Sequence, residues 1–96
     1  MKRDDIIQQL TEHRQKIIQF DVKSLAIFGS VARGESGPES DVDFLVEFKG
    51  RATLDRYMDL KFFLEDLLDC WVDLVTNKAL KPRMRPHVQQ EAIYVT

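Results

Sequence analysis

The sequence predicts an α/β domain, and two observations carry that assignment. Residues 4–19 and 54–69 place apolar side chains at the three- and four-residue spacing of helices, whereas 25–28, 41–48 and 70–76 are short runs with the pattern of strands. A chain of 96 residues suffices for one hydrophobic core, so a single domain spanning 1–96 is expected. Apolar residues make up 44% and charged residues 31%, the balance of a chain that folds rather than one that stays disordered.

The first helix is expected from Asp4 to about Gln19, where Ile6, Ile7, Leu10, Ile17 and Ile18 fall near helical spacing and Asp4 is available as N-cap. His13, at the edge of that stripe, reads as a boundary residue and receives no functional role. Leu25-Ala26-Ile27-Phe28 is an apolar run ended by Gly29-Ser30, the mark of a buried strand entering a tight turn. Val31-Ala32-Arg33 fits one helical turn, and Gly34 to Ser40 concentrates the turn formers of an exposed loop. Asp41 to Phe48 alternates cleanly enough to assign faces, with Val42, Phe44, Val46 and Phe48 toward the core and Asp41, Asp43, Leu45 and Glu47 away from it.

Thr53 can cap the second helix, Leu54 to about Asp69, whose core stripe comprises Leu54, Tyr57, Leu60, Phe63, Leu64, Leu67 and Leu68. Met58 and Phe62, four apart, either widen that buried face or form an exposed patch for a partner. Cys70 to Thr76 reads as a third strand, rich in aromatic and β-branched residues but interrupted by Asp73. From Asn77 to His87, Lys78, Lys81, Arg83 and Arg85 occur without an acidic residue while Pro82 and Pro86 interrupt any continuous helix, so a basic loop is expected. Val88 to Ala92 can make a short helix, leaving Ile93-Tyr94-Val95 to cover a sheet edge.

Charge and cysteine usage narrow the function classes. Fourteen basic and sixteen acidic residues leave a net charge of -2, without the positive field of a nucleic-acid binder, so direct nucleic-acid binding is disfavoured. Apolar runs such as Leu25–Phe28 fall far short of the roughly 20 residues of a membrane-spanning helix, so no membrane insertion is expected. Met1-Lys2-Arg3 leads into Asp4 and Asp5 rather than into a signal-peptide core. One Cys makes neither an intrachain disulfide nor a zinc cage, so Cys70 is expected to pack and the protein to reside in the cytoplasm.

The polar residues that need explaining lie at strand ends or within strands: Ser30 after Gly29, then Asp41 and Asp43, then Asp73. Asp41 and Asp43 are two apart in an extended segment, so their side chains share a face, about 6 to 7 Å apart, and can share a divalent cation. Carboxylate oxygens suit Mg²⁺ or Mn²⁺, and the lack of a Cys or His partner argues against zinc or copper. The ten residues between Ser30 and Asp41 are too few for a parallel crossover, so the two strands should be antiparallel neighbours with their active ends together. The Gly29-Ser30 turn, with its N–H groups and hydroxyl, then faces the aspartates, as a site for a metal-bound polyphosphate requires. Asp73 can join from an adjacent strand, as a second-metal ligand or as the base for an attacking hydroxyl.

The run from Leu25 to Gly34 followed by Ser40-Asp41-Val42-Asp43 resembles the G-S, ten residues, D-x-D signature of the DNA polymerase β nucleotidyltransferase superfamily. Asp73, in Val72-Asp73-Leu74-Val75, matches the third acidic position of that family, and in length the chain resembles the minimal nucleotidyltransferases, the MNT antitoxins paired with HEPN-domain toxins. The likeness spans about residues 4 to 95 and is strongest over 25–48. It implies a small mixed sheet with helices mainly on one side, ATP bound with two Mg²⁺ ions, and AMP transfer to a hydroxyl, in these antitoxins a tyrosine of the cognate toxin. Carried over by position, Gly29 and Ser30 would hold the triphosphate, Asp41 and Asp43 both metals, and Asp73 would complete the metal site and help deprotonate the acceptor. Arg33 would contact phosphate or brace the loop by pairing with Glu35 or Glu39. The alternative function is a non-catalytic antitoxin that occludes its toxin through Met58, Phe62 and the basic segment after Thr76.

Overall fold

The computed structural model describes residues 3–35 and 41–96. In chain order the elements are α1 (Arg3–Glu12), α2 (Arg14–Ile18), β1 (Val22–Phe28), α3 (Gly29–Ala32), β2 (Val42–Phe48), α4 (Leu54–Leu68), β3 (Val72–Thr76), α5 (Arg85–Glu91) and β4 (Ile93–Tyr94). Two 3₁₀ turns, Asn77–Ala79 and Pro82–Met84, connect β3 to α5. The strands form one sheet in the order β3-β2-β1-β4. β1 runs antiparallel to both β2 and β4, as the short Ser30 to Asp41 connection requires, while β2 and β3 are parallel. A parallel pair needs a long crossover, and α4 supplies it.

The alternation read in β2 sorts its side chains as expected. Val42, Phe44, Val46 and Phe48 join Leu25 and Ile27 of β1, Ile6, Leu10 and Ile17 of the N-terminal helices, and Leu60, Leu64 and Leu68 of α4 in the main core. The larger helices therefore cover one face. The opposite face departs from the sequence reading at Leu45, assigned to the polar side yet only 6% exposed. Leu45 and Ala26 are covered by Leu80 and Val88 of the C-terminal segment, with Phe28, Val75 and Ala92 at the margin. The basic segment is thus no free loop: its prolines open helical turns, Pro82 at the start of the second 3₁₀ turn and Pro86 in the first turn of α5, where the missing N–H costs nothing.

Other expectations shift for local reasons. The helix expected over 4–19 breaks at His13 (φ -108°, ψ 18°), whose Nδ1 lies 2.8 Å from the Gln9 carbonyl and so competes for that turn's backbone bonding. Asp4, offered as the cap, stands with Asp5 inside the first turn of α1, where the helix dipole favours acidic side chains. Thr53 does cap α4, its hydroxyl accepting the Arg56 N–H at 3.2 Å. Leu54, assigned to the core stripe, is 74% exposed, because a first-turn side chain leans off the N-terminal end of its helix. The third strand begins at Val72, two residues later than expected, and leaves Trp71 outside. Cys70 packs, partly buried, against the main core. Of the loop expected over Gly34 to Ser40, positions 36–40 lie outside the described residues. Among the described residues no helix is long and apolar enough to cross a membrane.

Candidate active site

The site is built where β1 ends. Phe28 leaves the strand in extended conformation (φ -139°, ψ -174°) and delivers the chain to Gly29 at φ 75°, a left-handed backbone that side-chain-bearing residues rarely adopt. A Cβ at Gly29 would also collide with Asp43 Oδ2 and lie 3.1 Å from Asp43 Cγ, so glycine is required both by the turn and by the approach of this carboxylate. The Arg33 N–H donates to the Gly29 carbonyl at 3.2 Å and the Glu35 N–H to the Ser30 carbonyl at 2.9 Å, which fixes the turn. Ser30 is half-buried in α3, whose opening N–H groups have no intrahelical acceptors and receive no capping side chain from Phe28.

Sheet register brings the aspartates to this turn. Asp43 stands opposite Phe28 across the antiparallel pair and opposite Asp73 across the parallel pair. Asp41 lies one residue before β2, exposed, where the Val42 N–H donates to the Trp71 carbonyl at 3.1 Å. The C-terminal end of β1 and the N-terminal ends of β2 and β3 thus carry Gly29, Ser30, Asp41, Asp43 and Asp73 together.

The electrostatics follow from that crowding. Burial, and then the neighbouring charges of Asp73 and Asp41, raise the Asp43 carboxyl above the ordinary Asp range, with Arg33 partly opposing. No three His, Cys, Asp or Glu side chains among the described residues come together as a metal site. The donor set nevertheless fits a hard divalent cation. Its groups are all carboxylate oxygens, and the partly buried Asp43 beside two like charges is where added positive charge relieves most.

Arg33 is engaged elsewhere in the structure. Its Nε lies 2.9 Å from Glu35 Oε2 and its Nη1 2.9 Å from Glu91 Oε1, and the two hydrogen-bonded carboxylates raise its pKa. Bracing by Glu35 is therefore present; the other partner considered, Glu39, lies outside the described residues. Glu91, 58 positions away, had no signal in the sequence. Nor did the support of Asp73. The Tyr57 hydroxyl donates to the Leu74 carbonyl at 2.6 Å, and Glu65 Oε2 accepts the Val72 N–H at 3.1 Å, so α4 grips β3 on both sides of that aspartate.

Comparison with known proteins agrees with this geometry. The nucleotidyltransferase domain family model matches residues 6–95. A Thermococcus cleftensis protein named protein adenylyltransferase MntA is 38% identical over 93 residues, which cover 96% of this chain and 94% of its own. A solved structure assigned as a minimal nucleotidyltransferase superposes with a TM-score of 0.86 at 36% identity, covering 97% of this chain and 95% of that one. The fold is shared as well, at 23% identity and a TM-score of 0.62, with a structure of a tri-AMPylated Shewanella oneidensis HEPN toxin in complex with MNT antitoxin, covering 93% of this chain and 71% of that one. Kinship in sequence over nearly the whole chain and likeness in three dimensions converge: this chain belongs to the nucleotidyltransferase domain family.

Proposed function

We propose that the protein is a Mg²⁺-dependent protein adenylyltransferase that acts as a cytoplasmic antitoxin, moving AMP from ATP onto a tyrosine hydroxyl of a HEPN-type toxin. The observation that carries this reading is the placement of Asp43 against Gly29 and in register with Asp73, which joins a phosphate-receiving turn to an acidic row. The name of the Thermococcus relative supports transfer of adenylyl groups to protein, and the Shewanella complex supports the class of partner.

Gly29 and Ser30 receive the triphosphate, Asp41 and Asp43 hold the two Mg²⁺ ions, and Asp73 completes the site. Held by these carboxylates, the ions would supply positive charge to offset the charge that develops in the displacement. The acceptor oxygen bonds to the α-phosphorus of ATP as the bond to diphosphate breaks. The hydroxyl proton passes to Asp73, which α4 fixes through the backbone of Val72 and Leu74.

Occlusion without chemistry is the second reading, favoured by Phe62 at 53% and Leu54 at 74% exposure on α4. Asp73→Asn separates the two. Transfer to the partner should fall by roughly 10²- to 10⁴-fold with ATP binding largely kept. Rescue of growth on co-expression with the toxin should fail while a pull-down still recovers the complex. Full rescue without AMP on the partner, read by intact mass, would sink the enzymatic reading.

A further inference from the structure

Trp71 is the chain's single tryptophan, and it is 75% exposed. Exposed tryptophans are uncommon because the ring buries so much apolar area when covered. This one has a specific address. The Val42 N–H donates to the Trp71 carbonyl at 3.1 Å, the bond that opens the β2–β3 ladder at the Val42 and Val72 pair, so Trp71 leads into β3 beside the Asp41–Val42 step. Trp71 and Asp73 are both exposed and flank the buried Val72, which sets the two on the same side of the entry to β3.

The order of strands then assigns a side. Gly29 and Ser30 follow β1, Asp41 precedes β2 and Asp43 lies in it, and Asp73 lies in β3, the outermost strand, with Trp71 immediately before that strand. A nucleotide held at the β1 and β2 ends leaves the β3 end to the acceptor. The surroundings there are acidic: Asp69 and Asp73 stand two residues to either side of Trp71, Asp41 lies across from it at the start of the β2–β3 ladder, and all three are exposed. An exposed indole in an acidic neighbourhood suits a cationic side chain, arginine above all, which stacks on aromatic rings and pairs with carboxylates at once.

We propose that Trp71 is the acceptor-recognition residue: it receives an arginine or lysine beside the acceptor hydroxyl and so presents that hydroxyl to Asp73. The inference rests on the proposed transfer reaction and adds to it the chemistry of the acceptor segment. Trp71 is a specificity residue here, and base stacking of the nucleotide on the same ring is the competing outcome.

As the single indole, Trp71 reports on itself. The probes are two synthetic peptides with one tyrosine and no tryptophan, the first flanked by arginines and the second by glutamates, alongside Mg²⁺ with ATP. The arginine peptide should change Trp71 emission saturably, and neither the glutamate peptide nor Mg²⁺ with ATP alone should do so. In Trp71→Ala the KM for the arginine peptide should rise about tenfold while kcat and the ATP-dependent rise in melting temperature stay near wild type. Trp71→Phe, which keeps an aromatic face, should recover most of that loss. A silent indole in the peptide titration overturns the inference, as does an unchanged peptide KM in Trp71→Ala or an emission change driven by Mg²⁺ with ATP alone. Failure of the transfer reading looks different: the wild-type protein would bind the arginine peptide saturably and place no AMP on it.

Discussion

Gly29 and Asp43 carry the strongest residue-level constraint, because one position exists in its conformation so that the other can approach. Gly29→Ala combines a left-handed backbone at φ 75° with a collision against the Asp43 carboxylate, so it should cost about 1 to 3 kcal/mol of stability and most of the transfer rate. Gly34→Ala is the control: its φ is 74° but among the described residues nothing lies within 4 Å of an added Cβ, so strain of about 1 to 2 kcal/mol should appear with activity kept. Melting curves beside transfer assays check both. Asp43→Asn should show the opposite combination. Burial first, then Asp73 and Asp41, raise the folded pKa of Asp43, so the native state holds its proton more tightly than the unfolded state does. Stability is therefore lost as pH rises from the ordinary Asp value, about 3.9, through the folded value, and the deficit persists at neutral pH. The variant should melt higher than wild type at pH 7, the gain should vanish as pH falls below that ordinary value, and transfer should drop by at least about 100-fold. A lower melting temperature at pH 7 would mean that Asp43 is held by favourable contacts instead. The G-S turn and the D-x-D pair were legible in the sequence because both are local patterns. The contact between them was not, since it depends on the register of β1 against β2.

At the scale of elements, α4 is both the crossover that makes β2 and β3 parallel and the clamp on the strand that bears Asp73. Tyr57→Phe removes the hydroxyl bond to the Leu74 carbonyl and should cost about 1 kcal/mol or somewhat more, since that carbonyl is left without its partner. Hydrogen exchange should accelerate first in Val72–Thr76, and transfer should weaken with it. Thr53→Ala removes the cap at the far end of the same helix and should cost about 1 kcal/mol with no effect on transfer. Equal effects on transfer from both variants would refute a positioning role for Tyr57. Periodicity located α4 correctly and placed Tyr57 on its packed face, but where a phenol finds an acceptor depends on which strand arrives beneath it. The break at His13 was hidden for a different reason: the imidazole and the backbone N–H both meet the Gln9 carbonyl, a competition that apolar spacing does not register.

For the whole molecule, clustered carboxylates beside the Gly29-Ser30 turn at one end of a small sheet should make stability depend on ligand if the proposed site binds Mg²⁺ and ATP. Mg²⁺ with ATP should raise the melting temperature and Mg²⁺ alone should raise it less, because binding to the native state alone stabilises by mass action, about 2.7 kcal/mol at a ligand concentration of 100 times Kd. Asp41→Asn, which removes a carboxylate proposed to hold metal on the solvent side of the row, should abolish most of that response without lowering the melting temperature of the free protein. An unchanged curve at millimolar Mg²⁺ and ATP would count against the nucleotide site. What the sequence alone determined was local: the α/β class, the segments that form helices and strands, the core face of β2, and the residue types able to bind metal and phosphate. Each of these follows from backbone periodicity or from the chemistry of neighbouring residues. Only the tertiary structure decided the order β3-β2-β1-β4, the pairing of Asp43 with Asp73, the burial of Leu45 under Leu80 and Val88, and the capture of Arg33 by Glu91. These join segments far apart in the chain, and such contacts are selected by the packing of the whole core, a quantity that no window of sequence contains.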